Sequence, residues 1–254
     1  MNKKKDKKIE IEKEQNWIIL PGNSVFIKNL TSKSIADYLF DCLELEIKYI
    51  PRNELKFKSP NGENIPLPRM KQLYGTPNKK GDFPVYRYGL DKYPPTLKWT
   101  PTLLIIRNMI EVECDQNCNH SVTNRYEKNT DYIGYHHDKT NSMTRGSKVI
   151  VLSLGETRRM EIQIIYNKQE QKQFLEETGK VRKTKKIASI DMIHGSLFEL
   201  SYEMNKKYKH QIKKEGKNII KKVRLGLTFR SICEFYNIKS NKYYMESVSK
   251  KTNI

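Results

Sequence analysis

The spacing of apolar residues changes character about midway along the chain. In "TSKSIADYLFDCLELEI", Ile35, Leu39, Leu43 and Ile47 recur at helical intervals, with Thr31 or Ser32 placed to cap the first turn. "TPTLLIIRNMIEVE" predicts a second helix: Thr100 suits the cap, and Pro101 suits the first helical position, where a missing N–H costs nothing. "SVFIKNL" reads as a short strand before the first helix. Residues 51 to 99, rich in Pro, Gly, Lys and Tyr, read as loops and short strands, the usual material of a binding surface. After residue 118 the period becomes two. "HSVTNRY", "DYIGYHH", "SKVIVLSL", "RRMEIQIIY", "KIASIDM", "GSLFELS", "YKHQIK" and "KKVRLGLTFR" are eight short runs of β-branched and aromatic residues. Eight strands after two helices predict a mainly β fold, a sandwich or jelly roll with helices on one face. The polar stretch 167 to 185 reads as a long hairpin tip, and residues 1 to 15 as a charged tail.

Composition sharpens this picture. Hydrophobic residues make up 37% of the 254-residue chain and there are fifteen tyrosines, so a packed core is expected. The formal charge is +19, which favours a polyanionic partner, nucleic acid before an anionic membrane. A coding bias toward Lys, Asn and Ile is the plainer source of such a charge. Cys42, Cys114, Cys118 and Cys233 are scattered, no secretory signal is visible, and "TLLII" is too short to cross a bilayer. A soluble, monomeric protein of the nucleus or cytoplasm with reduced thiols is expected. "CDQNCNH" hints at zinc, but no fourth ligand has suitable spacing.

The chemistry concentrates in "YIGYHHDKT". On a strand, His136 and Asp138 project from one face, so an imidazole and a carboxylate can converge on one metal ion. Two histidines and a carboxylate form the facial triad of non-haem Fe(II) oxygenases, which leaves positions open for a cosubstrate and O₂. The second histidine must be distant, and His194 and His210 are the candidates. In "RLGLTFR", Arg224, Gly226, Thr228 and Arg230 share one face, and Leu225, Leu227 and Phe229 the other. Two cations on a strand otherwise built to pack call for an anion, and a dicarboxylate fits a bidentate guanidinium. Asn124 and Tyr126 likewise share a face, with Arg125 turned away.

Taken in order, "NRYEKNTDYIGYHHDKT", "VLSLGETRRMEI", "IHGSLFELS", "KHQI" and "RLGLTFR" resemble the AlkB-like Fe(II)/2-oxoglutarate dioxygenases, the oxidative nucleic-acid demethylases. "PRMKQLYG" at 68 to 75 resembles a motif of the animal homologues that repair alkylated DNA. The resemblance implies a double-stranded β-helix core over 101–238, a nucleotide-recognition lid over 16–100 and a basic tail over 239–254. It implies Fe(II) held by His136, Asp138 and His210, and 2-oxoglutarate held by Asn124, Tyr126, Arg224 and Arg230. His194 then has a structural role, and His137 projects away from the metal. Tyr88, with Tyr86 second, matches the aromatic that stacks on the target base. Arg69, Lys71, Lys79, Lys80 and the basic stretch 180–186 are candidate phosphate contacts. The implied reaction removes alkyl groups from DNA or RNA bases, releasing formaldehyde, succinate and CO₂. A hydroxylase of protein or a small molecule, or a silent nucleic-acid binder, are the alternatives. Two departures stand out: Gly226 replaces the family's usual Asn, and Thr140 stands where repair members tend to place an acidic residue against the flipped base.

Overall fold

A computed structural model describes residues 16–59, 61–87, 94–216 and 222–246. Its strands are β1 (Trp17–Leu20), β2 (Ser24–Ile27), β3 (Lys56–Lys58), β4 (Asn64–Pro66), β5 (Met70–Gly75), β6 (Phe83–Pro84), β7 (His120–Tyr126) and β8 (Ile133–His136). They continue as β9 (Val149–Gly155), β10 (Arg158–Ile165), β11 (Thr184–Met192), β12 (Ser196–Leu200), β13 (Tyr208–Ile212), β14 (Arg224–Arg230), β15 (Glu234–Asn237) and β16 (Lys242–Met245). The helices are α1 (Lys33–Glu46), α2 (Pro101–Glu113), α3 (Lys168–Thr178) and α4 (Tyr202–Lys207). All eight strands expected after residue 118 form.

The two long helices start where their caps predict. The Ser32 side chain accepts from the Ile35 N–H and the Thr100 side chain from the Leu103 N–H, each satisfying an otherwise orphaned donor. The buried stripe of α1 is Ala36, Leu39 and Leu43, continued by Ile47 at the C-cap, whereas Ile35 is 48% exposed. The apolar repeat is therefore one residue out of phase at its N-terminal end.

A seven-stranded sheet of order β1-β2-β12-β9-β14-β7-β5 faces a four-stranded sheet of order β11-β10-β13-β8. One core fills the space between them, with Val122, Met160, Ile162, Phe198 and Ile212 among its members. A second core joins the outer face of the larger sheet to α1 and α2 through Leu39, Leu43, Leu103, Ile106, Leu225, Leu227 and Phe229. This is the jelly roll with helices on one face. β1, β2 and β5 belong to the main sheet, so much of the stretch expected to form a lid is built into the scaffold.

The stretch 167–185 does join the antiparallel pair β10 and β11 as a hairpin tip, but a helix, α3, fills it before the start of β11. Asn167 and Glu170 form a reciprocal capping box, and Gly179 closes the helix in the left-handed conformation at φ 68°. None of its residues is buried, so capping and local contacts define it rather than an apolar face. Of the basic tail expected over 239–254, Lys242–Met245 form β16 against β15, while 247–254, like the expected tail 1–15, lie outside the described residues.

Candidate metal and cosubstrate site

Antiparallel pairing of β8 and β13 sets His136 directly opposite His210. Their ring centroids are 4.3 Å apart, and His210 Nε2 lies 3.6 Å from Asp138 Oδ2. One potential ligand atom from each of His136, Asp138 and His210 falls within 4.8 Å of the others. Among the described residues this is the only such group of three. His194 is elsewhere, accepting from the Gly155 N–H at 2.7 Å and approaching Asp37 at 3.2 Å, a structural role as expected. Cys114, Cys118 and His120 form no such cluster.

The donor set suits a divalent ion. His136 Nδ1 meets the Gly134 carbonyl at 2.8 Å, which assigns the proton to Nδ1 and the lone pair to Nε2. Burial, then the neighbouring His210, lower the His136 pKa to about 3, and burial likewise lowers that of His210. Both imidazoles are thus neutral near pH 7, the form that binds metal. Burial alone would raise the pKa of Asp138. Arg230 and the two histidines outweigh it and hold the carboxyl below the usual carboxylate range. Asp138 is fixed on several sides: Arg230 donates to Oδ1, Tyr86 Oη donates to Oδ1 at 3.0 Å, and Asn205 brackets its backbone with two 2.9 Å hydrogen bonds. His137 Nδ1 meets the Asn205 carbonyl at 2.5 Å, which ties the ring to α4.

A cavity of about 540 Å³ opens beside this group and is lined by Asn124, Tyr126, Arg224, Gly226, Thr228 and Arg230. The alternation expected for β14 is realised, since Leu225, Leu227 and Phe229 sit in the outer core. Arg224 and Arg230 are 1% and 5% exposed, which removes the reading of arginines on a solvated face. Arg224 donates from Nε to Ser153 Oγ at 2.9 Å and lies 5.1 Å over the Tyr126 ring. Its Nη2 is buried with no hydrogen-bond partner. Burial, opposed by Tyr126 and reinforced by Arg158, lowers its pKa, yet a guanidinium stays charged at neutral pH. A buried cation with an idle donor fits a carboxylate of the cosubstrate.

Gly226 explains how this arginine lies. A β-carbon at 226 would sit 2.8 Å from Arg224 Nη1, so the glycine lets the guanidinium fold across the strand where the family's usual Asn would stand.

Three expectations change. Tyr86 is 3% exposed, with the Arg230 guanidinium 4.0 Å from its ring centroid and its hydroxyl committed to Asp138. It therefore braces the Asp138 carboxylate instead of offering a face to a base. Arg69 and Lys71 are 6% and 1% exposed, too deep for phosphate contact, and line the cavity. Arg69 donates to Asn124 Oδ1 at 2.9 Å and to the Tyr132 carbonyl at 3.1 Å. Thr140 is half-buried and absent from the cavity wall, where Lys139 stands instead. Tyr88 lies outside the described residues. Asn205 and Ser153 carry no sequence signal, because their importance comes from register with distant segments.

Residues 23–230 match the family model of the 2OG-Fe(II) oxygenase superfamily, and the chain belongs to that superfamily. Within it the chain is AlkB-like. The bovine DNA oxidative demethylase ALKBH2 is 26% identical over 204 residues, 80% of this chain and 66% of that protein. The bovine alpha-ketoglutarate-dependent dioxygenase alkB homolog 3 is 27% identical over 197 residues, 78% of this chain and 62% of that protein. The chain thus spans a little under two thirds of the length of these curated relatives. The solved structure of OsALKBH1 superposes with a TM-score of 0.50 at 16% identity, covering 85% of this chain and 99% of that one, which supports the jelly-roll fold. The cofactors are Fe(II) and 2-oxoglutarate.

Proposed function

We propose that the protein is an oxidative dealkylase of alkylated bases in nucleic acid. The observation that carries this reading is the convergence of His136, Asp138 and His210 beside a cavity lined by buried Arg224 and Arg230. The three side chains hold the iron. Asn124, Tyr126, Arg224 and Arg230 hold 2-oxoglutarate, with Arg224 Nη2 supplying a donor that the protein itself does not use. When bound, Fe(II) and 2-oxoglutarate together use O₂ to oxidise the cosubstrate to succinate and CO₂ and to place one oxygen on an N-alkyl carbon of the substrate.

This chain's own residues position and exclude. Tyr86 and Asn205 fix the Asp138 carboxylate and backbone, so its remaining oxygen stays aimed at the histidines. Val122, Val151, Met160, Met192 and Ile212 form apolar wall around the reacting centre and limit access of water. The hydroxylated carbon, attached to nitrogen, leaves as formaldehyde without needing a protein base. A base inside a duplex cannot reach so enclosed a site, so the substrate is single-stranded or flipped. The +19 charge supports a polyanionic substrate, as does the relative named as a DNA oxidative demethylase.

The test is mass spectrometry of methylated DNA and RNA oligonucleotides after incubation with Fe(II), ascorbate and 2-oxoglutarate. Loss of a methyl mass from at least one lesion is expected. Succinate release stimulated only by peptide would replace this reading with a protein hydroxylase.

A further inference from the structure

The three-stranded sheet β6-β15-β16 stands apart from the rest of the molecule. Among the described residues, none of this sheet joins either large core, and β15 and β16 follow Arg230, where the family match ends. Its register sets Phe83, Tyr236 and Tyr243 in one row and Glu234 beside Met245 in the next row of the same face. Pro84, Phe235 and Tyr244 turn the other way. Tyr244 is tied down there, its hydroxyl donating to Asp82 at 2.7 Å and accepting from Asn78 at 2.8 Å. On the first face, Tyr243 and Met245 are 45% and 56% exposed.

The planar groups on that face are held in place. The Tyr236 and Tyr243 rings are 5.0 Å apart, and the Tyr236 hydroxyl donates to Asn241 Oδ1 at 2.6 Å. The Arg87 guanidinium lies 5.0 Å from the Tyr243 centroid and continues the row. Buried Glu234 accepts from Arg87 Nε at 3.1 Å and from Nη2, so this guanidinium is a fixed plane with its charge already paired. Flat groups fixed in advance lose little freedom when a base stacks on them. The charge at the rim is one-sided. Lys79, Lys80, Lys239 and Lys242 are exposed. Asp82 is buried and taken up by Tyr244 and Asn237, and half-buried Glu246 accepts from Asn78. The sheet also adjoins the metal site. Tyr86, the neighbour of Arg87, donates to Asp138, and Ser142, on the loop that follows Asp138, donates to Glu234 at 2.5 Å.

We propose that this face binds the unmodified single strand beside the target base, with bases stacked on Tyr243, Tyr236 and Arg87 and phosphates on Lys239 and Lys242 at the hairpin's turn. This rests on the dealkylase reading for which strand arrives, and it adds a surface outside the cavity. Planar groups ringed by lysines suit bases and phosphates, whereas a protein partner would want a broader aliphatic patch.

The test is fluorescence anisotropy of the full chain, loaded with Mn(II), against a labelled, unmethylated single-stranded oligonucleotide of mixed sequence. Thermal melts check that each variant is folded. Tyr243→Ala is expected to weaken binding about tenfold, as for the loss of one stacked base, and Tyr243→Phe, which keeps the ring, to stay within about twofold of the parent. Lys239→Gln combined with Lys242→Gln should flatten the slope of log affinity against log salt by about 1.4, or about 0.7 for each phosphate contact. A folded Tyr243→Ala that binds like the parent overturns the proposal and leaves the face to a protein partner. An equal loss from Tyr243→Phe also overturns it, since the hydroxyl and not the ring would then make the contact. An unchanged salt slope in the double lysine variant overturns the phosphate contacts. Ring-dependent binding without dealkylation of any methylated base removes the dealkylase reading and leaves this surface standing. Dealkylation without ring-dependent binding does the reverse.

Discussion

β14 and β13 line the same cavity from different sheets, and they are built differently. Every residue of β14 is buried, one face against the helices and the other toward the cavity. β13 is only half-buried over most of its length, and its sheet ends in β11, whose first residues, Thr184 to Lys186, are exposed. The strand buried on both faces carries the permanent cations. The half-open strand carries a histidine, which can shed its charge. Burying a guanidinium in place costs least where the surrounding frame is already fixed by packing, and Leu225, Leu227 and Phe229 provide that frame. A neutral imidazole imposes no such demand.

This contrast can be broken most severely at the histidine. His210→Ala is expected to weaken Mn(II) binding by more than about a hundredfold, beyond the loss usual for outer partners of a ligand. Far-UV circular dichroism should remain unchanged, because β13 tolerates partial exposure. Metal affinity within tenfold of the parent would refute the ligand assignment.

Arg224→Met tests the opposite wall. Losing a charge-assisted contact should weaken 2-oxoglutarate binding by about 1.5–3 kcal/mol, roughly ten- to a hundredfold. Calorimetry in the presence of Mn(II) reads this directly, and unaltered affinity would remove Arg224 from the clamp.

A smaller effect probes the cost of burial in the seven-stranded sheet. His120 is fully buried on β7, and burial, then Arg230, lower its pKa to about 3. The unfolded chain has its histidine near 6.5 and binds the proton first, so this contribution is complete above pH 6.5 and is lost as pH falls toward 3. Between pH 7.5 and 5.5, His120 alone should cost about 1 kcal/mol in urea denaturation. A His120→Gln variant should show a correspondingly shallower loss, and an identical pH profile would contradict the assignment.

The smallest effect belongs to α3, far from both walls. Asn167→Ala removes the capping box and should cost about 1 kcal/mol of helix stability, visible as faster amide exchange within 168–178. Turnover should be unaffected. A large change in 2-oxoglutarate affinity would mean that this exposed helix is coupled to the site.

What could be read from the sequence follows the same division. The alternation of β14 was plain because a buried strand enforces strict parity, and it placed both arginines correctly. The helix caps Ser32 and Thr100 were likewise local signals. Spacing alone left His194 and His210 open, since only the long-range pairing of β8 with β13 separates them. α3 was hidden because its residues lack an apolar stripe, although the Asn167–Glu170 box was written in the sequence. Tyr86, Arg69 and Lys71 looked like surface groups because nothing local shows that the loop after β6 and the strand β5 turn inward. Asn205 gave no signal, its partner being 67 positions away.

The facing of His136 and His210, 74 positions apart, means that an ion seated between them would act as a removable crosslink. Metal held at a hundred times its dissociation constant would add about 2.7 kcal/mol to the folded state. Chelation would then loosen the closure of the barrel as well as silence its chemistry.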